Sequence, residues 1–286
     1  FLNKFICFFN KIIDEMRYFI AVCHFFCYIC VTYLCNTTVR NWIKIQYNTV
    51  FICVLLLLIV INVIATISEN ALMLQITKPL FIPLLLLYYF VKNKYISFIF
   101  VAFLLFSFLG DSASVLFSND SVVKASSVLY CISYLCLVYV IASKFKRIEF
   151  DKIIGAYLLV VFLINAYFLY TLFNILQAII PDGLEVTLFG IKSVSLIALA
   201  LVSFAVYLNS DTKLSILFLV MSLCFVFSDV LHYISYYYIY DWSFVMLNRT
   251  LHILGLFFLF NYIIEENRHR KKRIVNTRVS SKNVLA

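Results

Sequence analysis

The chain has 286 residues, of which 64% are hydrophobic and only 13% are charged, and its formal net charge is +9. Soluble globular domains carry about 25% charged residues, so this balance excludes a large water-soluble domain and indicates an integral membrane protein. The positive charge does not indicate a nucleic-acid-binding face, because the basic residues gather in short loops and in a tail with Arg268, Arg270, Lys271, Lys272 and Arg273.

Eight uncharged or nearly uncharged runs follow one another along the chain, closed off by loop residues, and we interpret them as membrane-spanning helices. Their unbroken Leu, Ile, Val and Phe content does not fit a membrane β-barrel, whose strands alternate in polarity. The predicted fold class is all-α, a polytopic transmembrane bundle of eight helices. The predicted spans are 50–67, 78–91, 95–117, 122–143, 153–180, 186–209, 214–239 and 243–264.

The loops between these spans predict the orientation of the bundle. Lys or Arg residues precede the first span and follow the second, fourth, sixth and eighth spans, whereas the opposite loops carry none at their centres. Because cytoplasmic loops carry an excess of Lys and Arg, both ends of the bundle are expected to face the cytoplasm.

A further apolar run, 18–35, precedes the eight spans. Counting it as a ninth span would move Lys4, Lys11 and Arg17 to the side opposite the other basic loops. We therefore expect an interfacial or re-entrant segment here, or an uncertain start of the chain, and the sequence has no small-residue cleavage site of a signal peptide. The predicted parts are an N-terminal segment at 1–49, an eight-helix membrane domain at 50–265 and a basic cytoplasmic tail at 266–286.

Five charged residues stand out within the predicted spans, because a charge inside the membrane costs from about 3 to above 10 kcal/mol and therefore needs an explanation. Asp111 in the third span and Asp229 in the seventh each lie about 24 Å along their helices from the cytoplasmic side. Lys78, Lys192 and Arg249 come from the opposite face within about two turns. All five residues can therefore share one polar layer in the outer half of the membrane.

Two local features accompany the Asp residues. Each follows a small residue, Gly110 or Ser228, and small residues let helices approach closely around a polar group. In each half of the chain a Lys precedes the Asp by a similar distance, 33 residues in one case and 37 in the other. This spacing suggests a parallel repeat of four plus four spans.

Simpler roles for these residues stay open. The lysines could extend to the membrane interface, and the Asp residues could form purely structural ion pairs with them. His232 and His252 each follow a buried charge by three residues, on the same side of the helix, and we expect them to bind substrate by hydrogen bonding. Cysteines at positions 23, 27, 30 and 35 fit a metal site only loosely, so no metal and no cofactor is expected.

Three short motifs stand in chain order in the second, third and seventh predicted spans: Lys78-Pro79-Leu80 with Pro83-Leu84-Leu85, the run LFSFLGD from Leu105 to Asp111, and Phe227-Ser228-Asp229. Together they resemble the lysoplasmalogenase-like (YhhN) family of eight-span membrane proteins, over about residues 50–265. Where that family often carries a His followed three residues later by a Tyr, this chain has Cys131 and Tyr134.

The resemblance implies hydrolysis of the vinyl ether bond of lysoplasmalogens to a fatty aldehyde and a glycerophospho-alcohol. Protonation of the vinyl carbon followed by attack of water requires one acid and one carboxylate, which implies Asp111 and Asp229 as the catalytic pair. Lys78, Lys192 or Arg249 would then bind the lipid phosphate. The expected partners are a lysophospholipid or other amphiphilic lipid and the membrane itself.

Two alternatives to an enzyme remain. A multi-span transporter would also use a repeat with charges inside the membrane, although it would favour helices broken by Gly or Pro. A non-catalytic membrane scaffold or receptor could use the tail after Glu265 to bind anionic lipid or a partner.

Overall fold

The computed structural model describes residues 49–68, 71–92, 96–116, 120–145, 152–180, 182–210, 212–238 and 241–283. The apolar run 18–35 and the cysteines at positions 23, 27, 30 and 35 lie outside these residues, as does nearly all of the predicted N-terminal segment.

The described residues form helices and contain no strand, as the all-α prediction requires. Helices suit a lipid solvent because they satisfy their backbone hydrogen bonds within one segment. A π-helical turn, Ile234–Tyr238, continues the seventh helix. In chain order the α-helices of this part of the chain are α1 Thr49–Ile67, α2 Ala71–Lys92, α3 Phe98–Leu116, α4 Asp120–Phe145, α5 Lys152–Ile179, α6 Gly183–Asn209, α7 Lys213–Tyr233 and α8 Trp242–Asn283.

Five helices in the described ranges are long and apolar enough to cross a membrane, and they belong to α4, α5, α6, α7 and α8. The apolar stretches of α1, α2 and α3 are shorter, at Leu56–Ala65, Ile76–Leu87 and Phe98–Ala113. The described part of the molecule is therefore all-helical and has the character of a membrane protein, and the crossing of the membrane by eight helices stays a prediction.

Two helices extend well beyond the predicted spans. Helix α2 begins at Ala71 rather than at position 78, so Lys78 lies about two turns inside it, and both Pro79 and Pro83 lie within the helix. Neighbouring helices and local adjustments allow such prolines inside membrane helices. Helix α8 continues to Asn283 rather than ending near 264. Apolar content predicts where a span ends, but Lys, Arg and Glu are good helix formers and prolong the helix past it.

The helices pack in a ring in the order α1, α2, α3, α4, α6, α7 and α8, with α8 returning to α1 and also contacting α2. Helix α5 packs outside this ring against α6. Its Leu163, Ile164 and Tyr167 side chains are exposed, as expected for a helix that faces lipid. The ring brings the polar residues of α2, α3, α4, α6, α7 and α8 toward a common interior.

Large buried side chains fill the ring, among them Phe218, Phe225 and Phe260. A close approach of α7 and α8 depends on Gly255, because a Cβ atom there would stand only 2.8 Å from Cε1 of Phe225. Close-packed interiors leave no room for such an atom without a shift of the ring. Helices α7 and α8 are therefore held in close contact at this level.

Candidate functional site

The first ion pair joins α2 to α3. Nζ of Lys78 lies 2.9 Å from Oδ1 of Asp111, whose side chain is fully buried, whereas that of Lys78 is 24% exposed. Removing a carboxylate from water is costly unless a cation and hydrogen-bond donors compensate for it. Lys78 therefore provides charge compensation for Asp111 among apolar helices.

Tyr130 of α4 completes this pair. Its hydroxyl group accepts a hydrogen bond from Nζ of Lys78 at 2.9 Å and donates one to Oδ1 of Asp111. Gly110, the residue before Asp111, makes this contact possible, because a Cβ atom there would lie 3.2 Å from Cε2 of the Tyr130 ring. The small residue that the sequence suggested as a point of close helix approach thus faces the tyrosine.

The second ion pair joins α6 to α7, where Lys192 contacts Oδ1 of Asp229. Both side chains are buried, and that of Lys192 is only 5% exposed. Aromatic rings flank the ammonium group, with Nζ of Lys192 at 4.9 Å from the ring centroid of Tyr130 and 5.1 Å from that of Tyr233. Cation–π contacts of this kind stabilise a desolvated ammonium group.

The two ion pairs meet at Tyr130. Nζ of Lys78 lies 5.2 Å from the centroid of the same ring that Lys192 contacts. The structure therefore brings together four of the residues singled out in the sequence, Lys78, Asp111, Lys192 and Asp229, in one buried cluster with Tyr130 at its centre. We call this group of five residues the ionisable cluster.

The remaining three predicted site residues lie near the cluster. Arg249 of α8 donates from Nη1 to Oγ1 of Thr77, the neighbour of Lys78, at 3.1 Å. His232 of α7 interacts electrostatically with the positive charges of Lys78, Lys192 and Arg249.

His252 interacts electrostatically with Asp111 and packs its ring 5.5 Å from that of Phe225. The side chain is buried, and within the described residues its Nε2 atom has no hydrogen-bond partner. Nε2 of His252 is therefore available for a hydrogen bond with a ligand or a water molecule that enters the cluster.

Tyr130 is not among the residues that the sequence pattern predicts for the site. A signal for it was present, since Ser126, Tyr130, Ser133 and Tyr134 follow one another on α4 at helical spacing and are all buried. A stripe of polar residues along one face of an apolar helix indicates that the face turns toward other polar groups. The stripe does not reveal which helices lie opposite, and that determines the partners of Tyr130.

All five side chains of the cluster carry groups that can in principle donate or accept a proton. The cluster holds two carboxylates, two ammonium groups and a phenol within an apolar surrounding, where charge interactions are stronger than in water. No group of three or more His, Cys, Asp or Glu residues in the described ranges could hold a metal ion.

Fold and cluster together define the class of the molecule, an all-helical membrane protein with ionisable residues buried among its helices. The chain matches no protein-family model, no curated protein and no solved structure.

Proposed function

We propose that the protein is a membrane hydrolase that cleaves the vinyl ether bond of lysophospholipids, with Asp111 and Asp229 as its acid and base. The observation that carries the proposal is the contact of both Lys–Asp ion pairs with the single side chain of Tyr130. Two carboxyl groups near one bond, inside a low-dielectric region, are suited to acid–base cleavage. The resemblance of the sequence motifs to those of lysoplasmalogenases is the reason for choosing a vinyl ether as the bond that is cleaved.

The substrate itself would convert an ion pair into an acid. The phosphate of a lysophospholipid competes with Asp111 for Lys78, the more exposed of the two lysines, and a carboxylate that loses its cation in an apolar site takes up a proton. This acid protonates the vinyl carbon and leaves an oxocarbenium ion. Asp229 accepts a proton from water as its oxygen attacks that ion, and the resulting hemiacetal splits into a fatty aldehyde and a glycerophospho-alcohol.

The proposal includes eight spans in a four-plus-four repeat with both bundle ends in the cytoplasm. Matching contacts support the repeat. Helix α4 packs on α6 and α8 packs on α2, and these are equivalent pairs if α1–α4 repeats as α5–α8. Gly110 contacts Tyr130, and Ser228 bonds to Asn248, in each case a partner 20 residues further along the chain. Helix α5 is the exception, because it lies outside the ring while α1 lies within it.

The test incubates the purified full chain in detergent with a lysoplasmalogen or with an acyl lysophospholipid and measures released aldehyde and free fatty acid. We expect aldehyde from the first lipid and no fatty acid from the second. Asp111→Asn and Asp229→Asn should each lower aldehyde release about 100-fold or more, because each removes one partner of the acid–base pair.

Asp241→Asn is the matched control. Asp241 accepts a hydrogen bond from the backbone nitrogen of Ser243 at the start of α8, and Asn serves equally well in this position. This variant should keep full activity. Full activity of either Asp111→Asn or Asp229→Asn would contradict the proposal, and so would proton-coupled uptake of lipid without cleavage, which would indicate a transporter.

A further inference from the structure

Side-chain contacts bring the end of α2, the start of α7 and the later part of α8 to one level of the molecule. At the start of α7, Nζ of Lys213 lies 3.5 Å from Oε2 of Glu265 on α8. Near the end of α2, the hydroxyl of Tyr89 accepts a hydrogen bond from Nδ2 of Asn267 at 2.9 Å. We call this end of the helix bundle the basic end, because the lysines that terminate several helices meet there.

Helices α4, α5 and α6 can be placed relative to the same level. Lys124, near the start of α4, forms an ion pair with Asp182, which caps the start of α6, so α4 and α6 run in parallel. Both therefore end beside the start of α7, and α5, which returns from the end of α4 to the start of α6, begins there. The lysines that these helix positions place at the basic end are Lys92, Lys144, Lys152 and Lys213.

The opposite helix ends have a different charge. Carboxylates predominate at or next to the starts of α4, α6 and α8, where the chain has Asp120, Asp182, Glu185 and Asp241. The two ends of the bundle therefore attract different ions, and only the basic end is suited to an anionic partner.

Helix α8 contributes the densest group of positive charges to the basic end. The helix continues without interruption to Asn283. Five of its six residues from 268 to 273 are Arg or Lys, and we call them the basic run: Arg268, Arg270, Lys271, Lys272 and Arg273. At 3.6 residues per turn, these positions are distributed round the whole circumference of the helix. Glu265 and Glu266 precede the basic run and offset only part of its charge.

The basic run lies at the level of lipid head groups. Trp242 at the start of α8 is 51% exposed, and exposed Trp residues mark the membrane–water interface. A hydrocarbon core of about 30 Å takes up about 20 helical residues, so α8 leaves the core near Asn261. Arg268 and Arg273 then lie about 10 Å and about 18 Å beyond the core. Head groups add about 5–8 Å to each side, and charges act over about 8 Å more, so most of the basic run can interact with charged head groups.

Two further basic residues of α8 lie beyond this range. Arg278 is about 26 Å from the end of the core and Lys282 about 32 Å from it, if the helix continues along its axis. The same helix thus carries positive charges near the membrane surface and positive charges well outside it. This difference provides a matched control for any role of the basic run.

We propose that the basic end of the bundle, chiefly through the basic run of α8, binds anionic phospholipids of the surrounding bilayer. Clusters of Lys and Arg directly beyond a membrane helix bind anionic head groups, and each such residue near the surface strengthens binding about fivefold. The contacts of Glu265 and Asn267 with α7 and α2 hold this part of α8 at the bundle, which favours a lipid over a soluble polyanion. This binding does not depend on the reaction proposed for the ionisable cluster.

The experiment reconstitutes the purified full chain in phosphatidylcholine vesicles with a trace of spin-labelled phosphatidylserine or spin-labelled phosphatidylcholine. Electron paramagnetic resonance measures the fraction of each labelled lipid that the protein immobilises. We expect the wild type to prefer phosphatidylserine about fourfold. Raising the salt concentration from about 0.1 M to about 1 M shortens the Debye length from about 10 Å to about 3 Å and should remove most of this preference.

Two double variants with the same change in net charge form the matched comparison. Arg270→Gln with Lys271→Gln removes two charges of the basic run and should lower the preference to about twofold or less. Arg278→Gln with Lys282→Gln removes two charges outside the head-group range and should leave the preference near fourfold. Gln is a helix former similar to Lys and Arg, so α8 should persist in both variants, and equal melting temperatures in detergent would verify this.

A third variant separates charge from side-chain shape. Arg270→Lys with Lys271→Arg keeps both charges and should keep the preference for phosphatidylserine. Equal association of the two lipids with the wild type would overturn the proposal, and so would equal losses in the two Gln double variants. Binding of a single-stranded RNA to the protein in phosphatidylcholine vesicles, without a preference for phosphatidylserine, would also overturn it and assign the basic run to a soluble polyanion.

Discussion

The two ion pairs each join neighbouring helices of the ring, yet different side chains surround them. Around the first pair, Gly110 leaves room for Tyr130, whose hydroxyl bonds to both charged partners. Next to Asp229 of the second pair, the hydroxyl of Ser228 donates to the side-chain oxygen of Asn248 at 2.7 Å. Tyr130 of α4 therefore bonds directly to both members of the first pair. Asn248 of α8 instead bonds to Ser228, the residue before Asp229.

This difference indicates that the two ion pairs have different roles. The first pair has a third polar member and a lysine that is 24% exposed, so its charges can be rearranged by a ligand. The second pair is buried, and the aromatic rings of Tyr130 and Tyr233 flank its lysine. The first pair is thus suited to exchange partners with a ligand, whereas the second is held more firmly in place.

The strongest test of this comparison removes each lysine in turn. Lys192→Met leaves the buried Asp229 without its ion-pair partner, which should lower the free energy of unfolding by about 3–5 kcal/mol. Lys78→Met should cost only about 1–3 kcal/mol, because Asp111 keeps the hydroxyl donor of Tyr130. Unfolding in mixed micelles with increasing denaturing detergent measures both losses.

A double variant provides the control for this test. Lys192→Met combined with Asp229→Leu replaces both charges by apolar groups, and its stability should return to near the wild-type value. Equal losses for the two single variants would show that Tyr130 does not distinguish the pairs.

Removing only the hydroxyl group of Tyr130 should affect one pair. Tyr130→Phe eliminates the bonds to Lys78 and Asp111 and should cost about 1.5–3 kcal/mol, while the ring contact of Lys192 remains. Tyr130→Leu should cost about 0.5–2 kcal/mol more, because it also removes the cation–π contacts. Melting temperatures in detergent provide the measurement. Tyr134→Phe, at the ring stacked on Tyr130, is the control, and a loss as large as that of Tyr130→Phe would refute the bridging role.

The small residues before the two Asp residues should differ in what they affect. Gly110→Ala forces the Tyr130 ring to shift and should cost about 1 kcal/mol and lower the aldehyde release rate as well. Ser228→Ala loses a hydrogen bond to Asn248 and should also cost about 1 kcal/mol, with activity retained. Stability and activity measured on the same preparations would contradict the comparison if Ser228→Ala proved the less active variant.

The smallest effect is expected at the surface contact of α4 with the start of α6. A hydrogen bond from Lys124 and one from the backbone of Leu184 hold the pKa of Asp182 below its usual value. A lowered pKa stabilises the fold above the ordinary pKa of Asp, and this stabilisation is lost as the pH falls through the lowered value. Asp182→Asn should therefore narrow the difference in melting temperature between pH 7 and pH 3 slightly, and an unchanged or wider difference would argue against the contact.

Sequence patterns predicted the helices and the charged members of the cluster for a simple reason. A long apolar run and a charge within it can each be recognised without knowledge of neighbours, which is why Asp111, Asp229, Lys78 and Lys192 stood out. Tyr130 did not, because the chain contains 20 Tyr residues and only the arrangement of helices distinguishes this one. The position of α5 outside the ring depends likewise on tertiary contacts. Substrate and orientation stay predictions.

Side chains of α7 and α8 contact each other at three levels along the two helices. Lys213 and Glu265 approach to 3.5 Å near one end, Phe225 fills the space over Gly255 further along, and Ser228 bonds to Asn248 beyond it. These three contacts extend over about 22 Å of α7, which is most of the thickness of a membrane's hydrocarbon core. The α7–α8 interface is therefore the helix contact of the ring that opens least easily. A lipid that reaches the interior sideways from the bilayer must pass between another pair of helices.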